Sequence, residues 1–381
     1  MSLFPPAAAL ALLLHAWLAL GREGLVGGGD LVAHLGLIRA TQQAPGLHNP
    51  YAPAYHLVGA LAEPALGAAG YAAAAALGGA ALLIFGFRSL QRASGLPDAA
   101  AALFALTPYL LSLSWCTPRI EAWGYGLLLF GLGAQLRGRR AALAGLLAAS
   151  FWVHTASALL FGLAAGVLAL WRRDARDLRA LAAGSLGAAP LVASHLAAGC
   201  TLSEALLFSA GGYSRALSEP LLPANAAFLI PLANPLGLLA AALGARSLAR
   251  RSRALAALCA LFLALYLSNF WLAPLGLRTL VTPLRGLSLL AIPVALAAGA
   301  LCADRPRAGP WLVALSAAFA LAAPLWLVPR ACFVRAISET EVDSVEVDRC
   351  HFRWTAPARR AASSGALASG APARFTPPST P

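Results

Sequence analysis

Apolar runs separated by short polar stretches make up most of the chain. A helix needs about 20 apolar residues to cross the roughly 30 Å of hydrocarbon in a bilayer. Runs of this kind occupy positions 3–20, 68–87, 97–115, 122–136, 180–198, 226–244, 254–272, 284–303 and 310–328. Each of these runs predicts a membrane-spanning helix.

The stretch 141–171 is too long for one ordinary span and short for two. Arginine clusters flank it on both sides, in RGRR before it and in RRDARDLR after it. Because basic loops favour the cytoplasm, both ends are expected on the same side of the membrane. This predicts a hairpin of two short, tilted helices that turns near His154. The total is then eleven membrane segments in an all-α, polytopic fold.

Composition agrees with this pattern and narrows the class of protein. The 381 residues are 60% hydrophobic and 11% charged, and the mean hydropathy of +0.73 lies well outside the range of soluble proteins. The basic residues are all arginine, and most stand in short clusters between apolar runs. That pattern is a topology signal, whereas a nucleic-acid partner would require a basic stripe on a soluble face. We expect membrane lipid as a partner and no nucleic acid.

The distribution of arginine predicts the orientation of the chain. With eleven segments, the loops on one side hold fifteen arginines, and those on the other side, the C-terminal tail apart, hold six. The arginine-rich side should be cytoplasmic. This places the N-terminus inside, the C-terminus outside and the first long loop, 21–67, on the outer face of the cytoplasmic membrane.

The first outer loop gathers polar chemistry that the rest of the chain lacks. After three glycines, Asp30 begins a segment in which Leu31, Leu35 and Ile38 recur at helical spacing. Such a helix with one apolar face can lie in the membrane interface. His34, four residues after Asp30, shares a helix face with it and is the second candidate catalytic residue. A purely structural role for Asp30, as the helix N-cap, is the alternative.

Two further polar residues are expected on the outer face. Glu121 lies in a short loop beside Arg119 and is a candidate acid or base, with an exposed ion pair as the alternative. His154 lies near the outer end of the predicted hairpin and is a candidate for binding substrate, since polar residues at membrane depth are often functional. It could equally satisfy a helix turn.

Two arginines are candidates for holding a phosphate. Arg278 and Arg285 lie in the outer loop before the tenth predicted span, near the level of lipid headgroups. The planar guanidinium matches phosphate oxygens and stays charged at the interface. Snorkelling towards ordinary anionic lipid is the alternative for both.

The character of the chain changes after Pro329. Residues 330–354 are predicted to form a short extracytoplasmic segment in which EVDSVEV favours a strand, and a disulfide between Cys332 and Cys350 is left open. Residues 355–381, rich in Ala, Pro, Ser and Gly, are predicted to be disordered. The other four cysteines lie in or beside apolar segments and are expected to be inert packing residues: Cys116, Cys200, Cys259 and Cys302.

Two sequence stretches resemble a known class of enzymes. GGGDLVAHLGLIR followed by HNPYAPAYHLVGAL resembles the first external loop of the GT-C class of integral-membrane glycosyltransferases and their bacterial relatives. In that class an acidic residue follows the first span, an interfacial helix comes next, and a Pro/Tyr-rich turn precedes a second helix. FWVHTASALLFGLAAGVLAL extends the resemblance, because a histidine in a short membrane hairpin recurs in such enzymes.

The resemblance implies transfer of a sugar from a polyprenyl-phosphate carrier to an acceptor on the extracytoplasmic face. The family's acidic residue matches Asp30, which would act as general base or as an activator linked to a divalent cation. Tyr51 and His56, in and after the Pro/Tyr-rich turn, are candidates for binding substrate. This chain lacks an adjacent acidic pair at Asp30 and a large soluble C-terminal domain, so the need for a cation stays open.

Two other classes of function compete with this interpretation. A transporter or flippase of a lipid-linked or small solute would use the same polar residues to line a path, with polar or broken helices on both sides of the midplane. A non-catalytic membrane protein would leave Asp30 and His34 facing headgroups or water. The gathering of polar residues towards one side favours the enzyme.

Overall fold

A computed structural model shows how these segments are arranged. It describes residues 2–20, 26–27, 29–43, 53–115, 120–201, 234–271, 283–327, 335–337, 342–343, 345–347 and 352–354.

Helices account for nearly all of the described chain. They are α1 (Phe4–Leu20), α2 (Gly29–Gln43), α3 (Pro53–Ala93), α4 (Asp98–Ala105), α5 (Pro108–Trp115), α6 (Ile120–Leu136), α7 (Arg140–Val153), α8 (Thr155–Arg172), α9 (Ala175–Ser185), α10 (Ala189–Ala197), α11 (Pro235–Arg251), α12 (Arg253–Trp271), α13 (Pro283–Asp304) and α14 (Ala308–Leu327). A short 3₁₀ turn, Leu186–Ala188, joins α9 to α10. The described residues also form four strands of two or three residues: β1 (Val26–Gly27), β2 (Arg335–Ala336), β3 (Val345–Val347) and β4 (Phe352–Trp354).

The all-α prediction is confirmed, and every predicted apolar run coincides with a helix at least in part. Within the described ranges, three helical stretches are long and apolar enough to cross a membrane: Pro53–Ala93, Thr155–Arg172 and Ala175–Ala197. Further apolar helices of 10–17 residues accompany them. These helices support a membrane protein with transmembrane helices, whereas eleven crossings remain a prediction.

The predicted turn at His154 is confirmed. His154 has extended φ/ψ angles of −161° and 105° and separates α7 from α8. At the other end of this pair, Arg140 begins α7 and Arg172 ends α8, and both lie within 4 Å of the same carboxylate, that of Asp177. The two helices therefore form an antiparallel hairpin.

The predicted span 97–115 is two helices rather than one. The helix α4 ends at Ala105 and α5 begins at Pro108, with Leu106 and Thr107 between them. Proline lacks an N–H for the helical hydrogen bond and disfavours helical geometry in the residue before it. The break follows from Pro108.

The helix α3 changes direction within its length. Gly67 has φ 69° and ψ 165°, a positive-φ conformation that glycine adopts at little cost, and Pro64 precedes it by three residues. The second stretch therefore begins where the apolar run at 68–87 was predicted to begin. The first stretch belongs to the predicted loop 21–67 and helps to form the candidate site.

Arginines tie the helix ends together at one end of the bundle. Arg137 donates to the carbonyl oxygen of Ser89 at 2.6 Å, which joins α6 to α3. Arg172 donates to the carbonyl oxygen of Gln135 at 3.1 Å, and Arg140 donates to Asp174 at 3.2 Å. These contacts connect loops that the sequence places on the same side.

The same end carries the N-terminus and the second half of the bundle. Asp98 accepts hydrogen bonds from both Ser2 and Arg88. Arg251, the last residue of α11, lies 2.6 Å from Asp304, the last residue of α13. A β-carbon at Gly309 would lie 3.5 Å from Ala99, which places this second half beside Asp98.

Small residues let the helices approach closely. A β-carbon at Gly244 in α11 would lie 2.0 Å from the carbonyl oxygen of Ala297 in α13. A β-carbon at Gly86 in α3 would lie 2.8 Å from the carbonyl oxygen of Gly126 in α6. Small residues are enriched at such interfaces in membrane proteins because apolar surface alone gives helices no preference for one another over lipid.

We predict that Gly244→Ala destabilises the folded protein by about 1–3 kcal/mol, because the new methyl group meets backbone that cannot move aside. Gly162→Ala is the matched control, since a β-carbon there meets nothing within 4 Å. Thermal unfolding in detergent measures both variants. Equal unfolding temperatures would contradict the tight α11–α13 contact.

Candidate functional site

The helix α2, in the predicted loop 21–67, is enclosed by other parts of the chain. Residues 31–38 of α2 are all buried, and His34 is only 6% exposed. Residues 31–38 of α2 are therefore surrounded by protein on all sides, and the position of this helix in the membrane interface stays a prediction. Its apolar side packs with α3 and Ile120, and the C-terminal residues Ile337 and Val342 lie in the same buried cluster.

The C-terminal segment reaches back to the first loop. The strand β2 pairs antiparallel with β1, with Val26 opposite Ala336 and Gly27 opposite Arg335. Arg39 of α2 lies 2.6 Å from Asp343 and 3.6 Å from Glu63 of α3. These contacts place the C-terminal segment and the first loop at the same end of the bundle.

Apolar contacts hold the same segment in place. Ile337 and Val342 are buried in one cluster with Leu31, Leu35 and Ile38. Beyond them, β3 pairs antiparallel with β4, which confirms the strand predicted in EVDSVEV. The C-terminal segment thus forms part of the core around the first outer loop.

Two predicted site residues, His34 and His56, are in direct contact. His34 Nδ1 lies 3.1 Å from His56 Nε2, and both side chains are buried. The ring of Tyr55 meets each imidazole edge to face, with centroids 5.6 Å apart in both cases. One ring nitrogen of the pair donates its proton to a lone pair of the other, so the pair is able to hold or pass a proton.

Tyr55 connects the histidine pair to α6. Its ring packs edge to face against Tyr71 and Trp123, with centroids 6.1 Å away in each case. The Tyr55 and Tyr71 phenols hydrogen-bond to each other, and Tyr71 Oη donates to the Tyr55 carbonyl oxygen at 3.4 Å. This contact bridges the kink at Gly67. Sequence reasoning missed all three aromatic residues, although Tyr55 directly precedes His56.

Glu121 is buried beside this aromatic group. It is 5% exposed, and it is close enough to Tyr55 for its charge to act on the phenol. Burial contradicts the exposed position in the alternative interpretation, whereas the ion pair itself stays a prediction. Arg119 lies outside the described residues.

His154 lies beside α6, about one helical turn beyond Glu121. A β-carbon at Gly124 would lie 3.4 Å from His154 Cβ and 2.5 Å from Ser157 Cβ. His154 Nδ1 accepts from the Ser157 backbone N–H at 3.3 Å and contacts the Ser157 hydroxyl at 2.7 Å. His154 therefore caps α8, which was the structural alternative. An Nδ1 that accepts leaves the proton of a neutral ring on Nε2.

The remaining predicted site residues are only partly described. Asp30 is the second residue of α2 and stands one turn before His34, but its side chain lies outside the described part. Arg285 lies in the first turn of α13, again without a described side chain. Tyr51 and Arg278 lie outside the described residues altogether.

No metal centre is formed by the side chains that the structure describes. Among them there is no group of three or more His, Cys, Asp and Glu residues placed to hold an ion. The His34–His56 contact involves two such residues, and the Asp30 side chain is not among those described. The divalent cation stays a prediction.

Cys200 corrects one prediction. This residue, at the C-terminal end of α10, is disulfide-bonded and is not an inert packing residue. Cys259 and Cys302 are free thiols, as expected. Cys116, Cys332 and Cys350 lie outside the described residues, and so does the predicted pairing of Cys332 with Cys350.

No known family, no curated protein and no solved structure matches the chain.

We predict that His56→Leu destabilises the protein by about 1–3 kcal/mol, because it removes the hydrogen-bond partner of a buried imidazole. His56→Gln serves as the matched control, since its amide can reach the position of Nε2. Thermal unfolding in detergent should rank the variants wild type, Gln, then Leu. A Leu variant as stable as the Gln variant would show that the contact contributes nothing to folding.

Proposed function

We propose that the chain is a membrane-embedded glycosyltransferase of the GT-C type. It transfers a sugar from a polyprenyl-phosphate carrier to an acceptor at the extracytoplasmic face. The observation that carries the proposal is the convergence of His34, His56, Glu121 and His154 at one end of the helical bundle. These residues are spread over 120 positions of the chain.

Contacts among neighbouring residues support that convergence. Leu35, Tyr55 and Ile120, each next to a site residue in sequence, belong to one buried cluster. Val153, next to His154, packs against the same cluster. A transporter would be expected to carry such residues along a path through both halves of the membrane, whereas these lie together at one end.

The proposed orientation has the arginine-bound end in the cytoplasm. The loops joined by Arg137, Arg140, Arg172 and Arg251 are those with the most positive charge, and positive loops stay inside. The disulfide at Cys200 supports an extracytoplasmic position for the end of α10, because disulfides persist in oxidising compartments. Eleven membrane segments then give a cytoplasmic N-terminus and an extracytoplasmic C-terminus.

The chemistry requires a base and a stabilised leaving group. Asp30 removes the proton of the acceptor hydroxyl as the acceptor oxygen bonds to the anomeric carbon. The bond from that carbon to the phosphate oxygen breaks, and the phosphate leaves with the electron pair. Arg285 and Arg278 offset the charge of the phosphate.

The other residues orient the reactants around this step. His34 accepts the proton from the Asp30 carboxyl group. The hydrogen bond between the two imidazoles lets this proton pass from His34 to His56, away from the acceptor. Glu121 is the second candidate acid or base of the same site. His154, Tyr51 and His56 contact the sugar or its carrier.

We predict that Asp30→Asn lowers turnover by about 10²–10⁴-fold, the usual contribution of a positioned base. Glu121→Gln should also lower turnover, whereas Glu63→Gln should not, although Glu63 is an acid of the same end that contacts Gln42 and Arg39. Consumption of polyprenyl-linked sugar by membranes carrying each variant measures the effect.

Two results would contradict the proposal. Turnover unchanged in Asp30→Asn would remove that residue from the mechanism. Solute flux in proteoliposomes, with no sugar transfer by the wild type, would favour the transporter.

A further inference from the structure

The corner between α8 and α9, at the arginine-bound end, carries more positive charge than its own carboxylates neutralise. Asp174 and Asp177 are its two acids. Arg140 lies 3.2 Å from Asp174 and 3.5 Å from Asp177, and Arg172 lies 3.8 Å from Asp177. Both carboxylates are therefore occupied by arginines.

The first of these carboxylates is held ionised by its surroundings. Burial raises the pKa of Asp174, but hydrogen bonds from the Asp177 backbone, Arg140 and the Arg176 backbone outweigh it and hold the pKa below its usual value. The two backbone hydrogen bonds make Asp174 the N-cap of α9. It stays a charged partner for Arg140 at neutral pH.

Three further arginines at this corner have exposed side chains. They are Arg173, Arg176 and Arg179. Within the described ranges none of them makes a side-chain ion pair or hydrogen bond, and Arg176 contributes only its backbone N–H to Asp174. Their charge points away from the protein.

The surface above these arginines is apolar and exposed. Arg176 and Arg179 are three residues apart and share a helix face. Leu186, seven residues after Arg179, returns to that face about 10 Å further along the axis and is 72% exposed. At the end of α8, Trp171 is 54% exposed, and tryptophan favours the boundary between headgroups and hydrocarbon.

This helix is also the most peripheral of the long apolar ones. Only 22% of the apolar stretch in Ala175–Ala197 is buried against the rest of the chain, compared with 44% in Thr155–Arg172. The arginines at the start of α9 and the apolar surface near its end match the two parts of one lipid molecule. The phosphate would bind the arginines, and an acyl chain would cover the apolar surface. A soluble anion would leave Leu186 uncovered.

We propose that Arg173, Arg176 and Arg179 form a binding site for the headgroup of an anionic phospholipid, whose acyl chain lies along Leu186. The guanidinium groups bind the phosphate through paired N–H donors. A symmetric contact with a second copy of the chain is disfavoured, because it would bring the same three positive charges together. The proposal does not depend on the enzymatic function.

Native mass spectrometry of the full-length protein in detergent, titrated with dioleoylphosphatidylglycerol or dioleoylphosphatidylcholine, tests the site. The wild type should retain phosphatidylglycerol preferentially. Arg176→Gln/Arg179→Gln should weaken phosphatidylglycerol binding about tenfold and leave phosphatidylcholine binding unchanged. Unfolding temperatures in detergent should be equal, since both side chains are exposed.

The matched control is Arg305→Gln/Arg307→Gln, which removes the same charge from an exposed turn at the same end. This control should bind phosphatidylglycerol within about twofold of the wild type. If both variants lose phosphatidylglycerol binding equally, the effect comes from general surface charge and the proposed site is wrong. If neither variant loses binding, the proposed site is also wrong. A dimer that the Arg176/Arg179 variant loses would assign the surface to a second copy instead.

Discussion

The cost of placing a guanidinium group in hydrocarbon is the constraint on which the rest of this structure depends. An arginine at the centre of a membrane helix costs about 2.5–3.5 kcal/mol on insertion scales, so arginines collect where helices end. In this chain Arg88, Arg137, Arg140, Arg172 and Arg251 bind acids, hydroxyls and carbonyl oxygens of neighbouring helix ends. At this end of the bundle, these arginines therefore stabilise the packing of the helix ends.

The opposite end holds a different kind of polar chemistry. Its imidazoles and Glu121 are buried, and the ring of Tyr55 packs against both His34 and His56. The C-terminal segment helps to enclose this end, because Arg39 hydrogen-bonds to Asp343, which lies 304 residues later in the sequence. Ile337 and Val342 of the C-terminal segment pack against α2, and burial of this kind strengthens electrostatic interactions between nearby groups.

Local patterns in the sequence carried much of the fold. Apolar run lengths located the helices, and the arginines on both sides of 141–171 indicated the turn at His154 without any tertiary information. The break between α4 and α5 follows from Pro108, although the apolar run around it predicts a single span.

The remaining features depend on long-range contacts that no local pattern reports. Periodicity in α2 revealed one apolar side, whereas its enclosure depends on the pairing of β1 with β2 and on the buried side chains of Ile337 and Val342. The role of Tyr55 arises from contacts with Tyr71 and Trp123 across a kink and a helix interface. Cys200 resembled a packing residue because its partner in the disulfide is not adjacent in sequence.

The central claim is that the arginine-bound end faces the cytoplasm and the histidine end faces outwards. Single cysteines at Gln43 and Pro306, both exposed and at opposite ends, test it most directly with a membrane-impermeant maleimide on intact cells. The account predicts labelling of Gln43→Cys in intact cells and of Pro306→Cys only after permeabilisation. The reverse pattern would contradict it.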